Sequence, residues 1–144
     1  MNRIQAMALL SVTAFSATIA PTATSQERMH AGLWEMTTTK GGATINTGTR
    51  CFTAEETAGN NGDAKALRDT LEKSFAKASC VVKDMAATGK SISYVVDCGS
   101  GASAHTLSSV AEYRGDTMEI QFTVKRGTSA ETTLTKGHRV GACT

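Results

Sequence analysis

Cys51, Cys80, Cys98 and Cys143 all lie downstream of a stretch that reads as an export signal, and this constrains the fold more than anything else. An even number of cysteines in a short exported chain reads as two disulfides formed outside the cytoplasm. No Cys-x-x-Cys occurs, and the shortest spacing runs from Cys80 to Cys98. The four are therefore expected to stabilise a small domain rather than exchange disulfides with other proteins.

Arg3 supplies the positive start of the leader, and Ala6 to Ala20 form an apolar run without charge. That run is shorter than the ~20 apolar residues that cross a bilayer as a helix. Ala23-Thr24-Ser25 before Gln26 is the best small-x-small cleavage site, whereas a cut after Ala20 would leave Pro21 just beyond it. Residues 1–25 are thus read as a signal peptide and 26–144 as one domain. No cysteine stands near the cut, so a lipid anchor is not expected. The expectation is a periplasmic monomer with no membrane span after signal removal.

Once Arg3 is removed, 14 Lys and Arg face 13 Asp and Glu, and the two signs are interspersed. Such a balance gives no electrostatic footprint for nucleic acid or an acidic membrane. Trp34, Phe52, Phe75, Tyr94, Tyr113 and Phe122 are scattered, which argues against a stacking platform for single strands. Nucleic-acid binding is set aside. A domain of this length buries roughly two-thirds of its unfolded surface, so its margin is modest and the disulfides matter.

Hydrophobicity alternates with period two over most of the mature chain. Strands are predicted over Gly32–Thr39, Ala43–Cys51, Cys80–Met85, Ser91–Cys98, Leu107–Tyr113, Met118–Val124 and Glu131–His138. Turns fall at Lys40-Gly41-Gly42 and Arg114-Gly115-Asp116-Thr117. Short connections of this kind make hairpins. The fold class expected is mainly β (α+β): a single curved antiparallel sheet of six to seven strands, covered by one amphipathic helix inserted after the second strand.

The helical segment carries its own signals. Thr53-Ala54-Glu55-Glu56 fits a capping box, and Asn60-Asn61-Gly62 ends the short helix that it starts. Asp63 then caps Ala64 to Ala78, where Leu67, Leu71 and Phe75 recur on one face. That stripe is expected to pack on the sheet. Leu71, in its middle, is expected to lose ~2–5 kcal/mol on truncation to Ala.

Four cysteines allow three pairings, and strand direction discriminates among them. Cys80 and Cys98 lie at the same end of one hairpin. If each later connection is also a hairpin, Cys143 finishes at the opposite end. A helix of fifteen residues is ~22 Å long and spans the sheet from end to end. It would leave Cys51 beside Cys143. The pairing that results is Cys80–Cys98 with Cys51–Cys143; a plain meander would instead group Cys51 with Cys80 and Cys98.

The ordered features have a further meaning. Gly32-Leu33-Trp34-Glu35 opens the domain, and Cys51-Phe52-Thr53-Ala54-Glu55 introduces the helix. Cys80 and Cys98 bracket a hairpin, Tyr113-Arg114-Gly115-Asp116 precedes a strand, and Gly141-Ala142-Cys143 ends the chain. Together they resemble a family of small exported proteins of Gram-negative bacteria catalogued as a domain of unknown function (number 3617). The resemblance covers essentially the whole mature chain and implies a periplasmic location. It brings no activity, ligand or catalytic residue to carry over. Thr128 to Lys136 holds fewer methionines than the family pattern.

Chemistry-bearing motifs are weak. His30, His105 and His138 show no metal-ligand spacing; His105 and His138 could meet only across strands, and His30 falls where termini are often disordered. Gly99-Ser100-Gly101-Ala102-Ser103 follows a strand as a phosphate loop does, but no Lys follows and another strand begins at His105. There is no Gly-x-Ser-x-Gly elbow, and Glu55 and Glu56 point to different sides of a helix. No cofactor, metal or catalytic residue is therefore assigned, and the chain is read as a non-enzyme. Two classes remain: an interaction protein of the envelope, of inhibitor or accessory type, and a carrier of a small apolar ligand held between sheet and helix. Met36, Met85 and Met118 favour the carrier by their adaptability. An enclosed apolar cavity of ~300 Å³ or more would distinguish it.

Overall fold

A computed structural model describes residues 27–143. The leader expected over 1–25, its cut near Ser25, and Thr144 lie outside the described residues. Seven strands alternate with turns: β1 Gly32–Lys40, β2 Ala43–Phe52, β3 Cys80–Ala87, β4 Ser91–Cys98, β5 His105–Tyr113, β6 Thr117–Arg126 and β7 Ser129–Gly141. They form one open antiparallel sheet in the order β2-β1-β7-β6-β5-β4-β3. The mainly-β fold with two disulfides is as the sequence predicts, and the two helices that follow β2 are the short capped helix and the amphipathic helix expected there. They are α1 (Ala54–Asn60) and α2 (Ala64–Ala76).

Local chemistry explains the element boundaries. Gly41 and Gly42 both have positive φ (56° and 82°), which closes the β1–β2 hairpin with the twist that the strands need. Thr53 accepts from the Glu56 amide while the Glu56 carboxylate accepts from the Thr53 amide, completing the capping box of α1. Asp63 accepts from the Ala66 amide and caps α2. The helix stops two residues before Ala78, because Ala78 and Ser79 donate to Phe75 and Ala76 in tight turns. Ser79 then adopts φ 54° and redirects the chain into β3.

The connection through α1 and α2 crosses the whole sheet. Every other connection joins adjacent strands, so the strand directions alternate, and β2 and β3 occupy opposite edges. β1 pairs with β7 as well as β2, which places the first and last strands side by side. Below, the lower end means the end where β2, β3, β5 and β7 finish.

The core lies on one face, mostly toward the lower end. Trp34 is fully buried and meets Phe52 edge-on at 6.1 Å between ring centroids. Met29, Leu67, Ile92, Ala111, Tyr113 and Met118 complete this cluster. A second cluster of Val82, Val96 and Cys98 receives Leu71 and Phe75 from α2. Within the helical stripe the burial is uneven: Leu67 is buried, whereas Leu71 and Phe75 are half-buried. α2 rises from the main core toward the β3 edge, so its far end meets fewer neighbours. Leu67→Ala should therefore cost about 2–3 kcal/mol and Leu71→Ala less. Urea denaturation of the two variants checks the order.

Candidate interaction surface

The lower end is held by a segment that sequence reasoning left as a frayed terminus. Arg28 is 2% exposed, and its guanidinium donates to the carbonyls of Thr88, Asn60 and Gly62. The Arg28 and Met29 amides both donate to Asn61 Oδ1, at 2.8 and 3.0 Å, and Asn61 Nδ2 returns a bond to the Met29 carbonyl. His30 and Gly115 close the clasp: the His30 amide donates to the Gly115 carbonyl and the Gly115 amide to that of Arg28. The α1–α2 connection, the β3–β4 turn and the β5–β6 turn are thereby tied together. Burial lowers the pKa of Arg28, partly opposed by Tyr113; burial raises that of the Tyr113 phenol, with Tyr94 adding to the rise. Arg remains charged throughout the physiological range.

The histidines stand apart. His30 Nδ1 lies 2.9 Å from Asp116, and its other nitrogen lies 3.6 Å from Glu27. This corrects the expectation of a disordered terminus: the backbone bonds of residues 28–30 order it. His105 and His138 do not meet, because His105 sits opposite Cys98, whereas His138 sits between Glu35 and Thr117. His138 has a carboxylate neighbour that linear spacing conceals, Glu35 at 3.4 Å. Among the described residues no group of three or more His, Cys, Asp or Glu is placed to hold a metal ion. Glu56 spends its carboxylate on the Thr53 amide and on Arg50, which together hold its pKa below the usual range. Glu55 lies in the same first turn of α1.

Cys51 is bonded to Cys143 and Cys80 to Cys98. Cys80 and Cys98 are direct partners on the β3–β4 ladder. Cys51 lies one residue before the end of β2 and Cys143 two residues after β7, the two strands that flank β1, so their bridge spans β1 at the lower end. The bridge is exposed, whereas Cys98 is buried. Beside it Ala31, Phe52, Ala54, Arg139 and Ala142 line a depression of about 350 Å³ that opens to solvent. Gly32 completes the floor: with φ 146°, a Cβ there would sit 2.3 Å from the Gly141 carbonyl oxygen. No side chain fits at this position.

Two surfaces stand out among the described residues. The first is the upper part of the core face. Ile120 packs against the main cluster, but Phe122 and Val124, next on the same face, lie outside both clusters and stay half-buried. Their cross-strand partners are Ser109 and Leu107 on β5 and Thr133 and Glu131 on β7. Met36 and Thr38 continue the strip on β1, where Thr38 is hydrogen-bonded to Thr135 at 2.9 Å. Here an apolar ledge continues the core face outside the two clusters that the helices join. The second is the β2 edge, where Ala43 to Cys51 are all exposed.

Leu67, Leu71, Phe75, Val82, Tyr94 and Met85 pack between sheet and helix. Met36, Met85 and Met118 join this packing as core filler. Among the described residues no helix is long and apolar enough to cross a membrane.

Residues 29–143 match the family model described as Protein of unknown function (DUF3617), and the chain belongs to that family. No curated protein and no solved structure matches it.

Proposed function

We propose that this member of the family is a non-enzymatic interaction module of the cell envelope, exported to the periplasm and cut near Ser25. It presents the uncovered ledge of its core face to a protein partner. The observation that carries this reading is the position of Phe122 and Val124: they share a face with the core yet lie outside both of its clusters. An apolar strip left open on a rigid, disulfide-bonded sheet costs little entropy to dock against. Thr38, Thr133 and Thr135 around it supply hydroxyls of the kind found at the rim of an interface. The carrier reading draws less support, since Leu71 and Phe75 of α2 pack against the sheet and the depression beside Cys51–Cys143 is open. Arg28 and Met29 lie in the clasp just beyond the proposed cut, so the mature domain keeps both.

Native mass spectrometry of protein purified from the periplasm tests the reading. The expected result is a bound polypeptide on the wild type, lost on Phe122→Glu at unchanged thermal stability. A small-molecule adduct instead would move the assignment to the carrier, and Edman sequencing that returns Met1 would end the export proposal.

A further inference from the structure

We propose that the exposed edge strand β2 pairs antiparallel with β2 of a second copy of this chain, joining two seven-stranded sheets across a two-fold axis at Gly48. A sheet edge presents unpaired amides and carbonyls, and exported proteins guard such edges with Lys, Pro, bulges or covering elements. The two edges of this sheet differ in this respect. β3 carries Lys83 at a bulge, where Val82 and Asp84 pair with the consecutive residues Val96 and Val95, and α2 packs beside it. β2 carries no charge from Ala43 to Thr49 and no proline, and its side chains there are all exposed. Its own bulge, at Ile45, lies near the upper end. From Asn46 to Arg50 the strand is regular, uncharged up to its last residue, and built of residues compatible with pairing.

A second copy meets this edge with the same uncharged, regular run. Antiparallel self-pairing is isologous, so each contact is made twice. Centring it on Gly48, the middle of the regular run, sets Thr47 opposite Thr49 of the copy and Asn46 opposite Arg50. Thr–Thr is a favourable cross-strand pair, and Asn offers a carbonyl to the guanidinium. A Cβ built on Gly48 would meet nothing within 4 Å, so no side chain obstructs the axis. The two Arg50 side chains stand four residues apart along the ladder, ~13 Å at strand spacing, and are screened at physiological salt. Each Arg50 is also held by its own Glu56 at 2.9 Å. Net charge is small, +1 once Arg3 is removed (14 Lys and Arg against 13 Asp and Glu), so the copies repel weakly. A contact of one short strand is small, which places the dimer among low-affinity associations. The proposal departs from the monomer expected from sequence.

Charge substitution at the opposed threonines tests the pairing and its register together. Thr47→Lys with Thr49→Lys sets two like-charged pairs across the axis; Thr47→Lys with Thr49→Glu sets two opposite-charged pairs. Sedimentation equilibrium of the periplasm-purified protein should show a concentration-dependent dimer. The Lys/Lys variant should raise its dissociation constant at least tenfold, and the Lys/Glu variant should restore it to wild type or better. Far-UV circular dichroism establishes that both variants are folded. A wild type that stays monomeric across the series overturns the proposal. So does equal weakening of both variants, or a dimer indifferent to either. A monomer whose β2 amides are protected from exchange only when a foreign protein co-purifies assigns the edge to that protein and also overturns self-pairing.

Discussion

Arg28→Ala should destabilise the mature domain by about 3–5 kcal/mol. The magnitude follows from what the side chain leaves behind. Its guanidinium satisfies the carbonyls of Thr88, Asn60 and Gly62, which belong to two separate turns. A buried acceptor stripped of its donor costs about 1–3 kcal/mol, and partial access of water to the opened site limits the sum. Arg28→Lys should recover little of the loss. A planar fork donates in two directions at once, from Nε to Thr88 and from one terminal nitrogen to Asn60 and Gly62. An ammonium is a compact charge at the end of a flexible stem and does not reproduce that spread. Guanidinium denaturation of the wild type and both variants checks this: a loss below about 1 kcal/mol for Arg28→Ala would show that the clasp is ornamental to the fold. Hydrogen exchange adds a positional readout, since the amides of Met29, His30 and Gly115 should lose protection first.

That clasp also shows where sequence reasoning stops. The strands were legible because period two is a local signal; Trp34 and Met36, Ile92 and Val96, and Met118 and Ile120 all turn to the core face as alternation requires. The capping box at Thr53 and the cap at Asp63 were legible for the same reason, since each donor and acceptor lies within three residues. Arg28 was not, because its partners lie 32 to 60 residues away in turns whose meeting point depends on the complete sheet. The pairing of β1 with β7 is equally non-local: hairpin signals specify neighbours in sequence and say nothing about which edges remain open. Leu67, rather than Leu71, is the buried member of the helical stripe because α2 is anchored on the main core at its first turns. Spacing identifies the face of a helix; only the sheet beneath decides which turn is deepest. Phe122 falls within the predicted strand Met118–Val124, yet nothing in alternation tells a covered apolar residue from an uncovered one.

Replacing Cys51 and Cys143 together by Ser should cost more than replacing Cys80 and Cys98 together, by roughly 1–2 kcal/mol. In the chain-entropy model a bridge stabilises by restricting the unfolded chain, with a gain that rises with the logarithm of the loop that it closes. The separations are 92 residues for Cys51–Cys143 and 18 for Cys80–Cys98. Those loops correspond to about 4.6 and about 3.2 kcal/mol at room temperature. The folded state adds to the difference. Cys80 and Cys98 face each other on a ladder whose hydrogen bonds already hold them, with Cα atoms 4.1 Å apart. Cys143 follows the last strand, and its bridge to Cys51 fastens that end across β1, where a free terminus would fray. Loss of the long bridge should therefore expose the end of β7 and the Leu33–Gly141 pairing to exchange, while loss of the short one leaves β3 and β4 protected. Urea midpoints of the two double variants, measured with the remaining bridge intact, decide the order. Equal midpoints would mean that the long bridge restrains an unfolded chain already compact enough to keep Cys51 near Cys143.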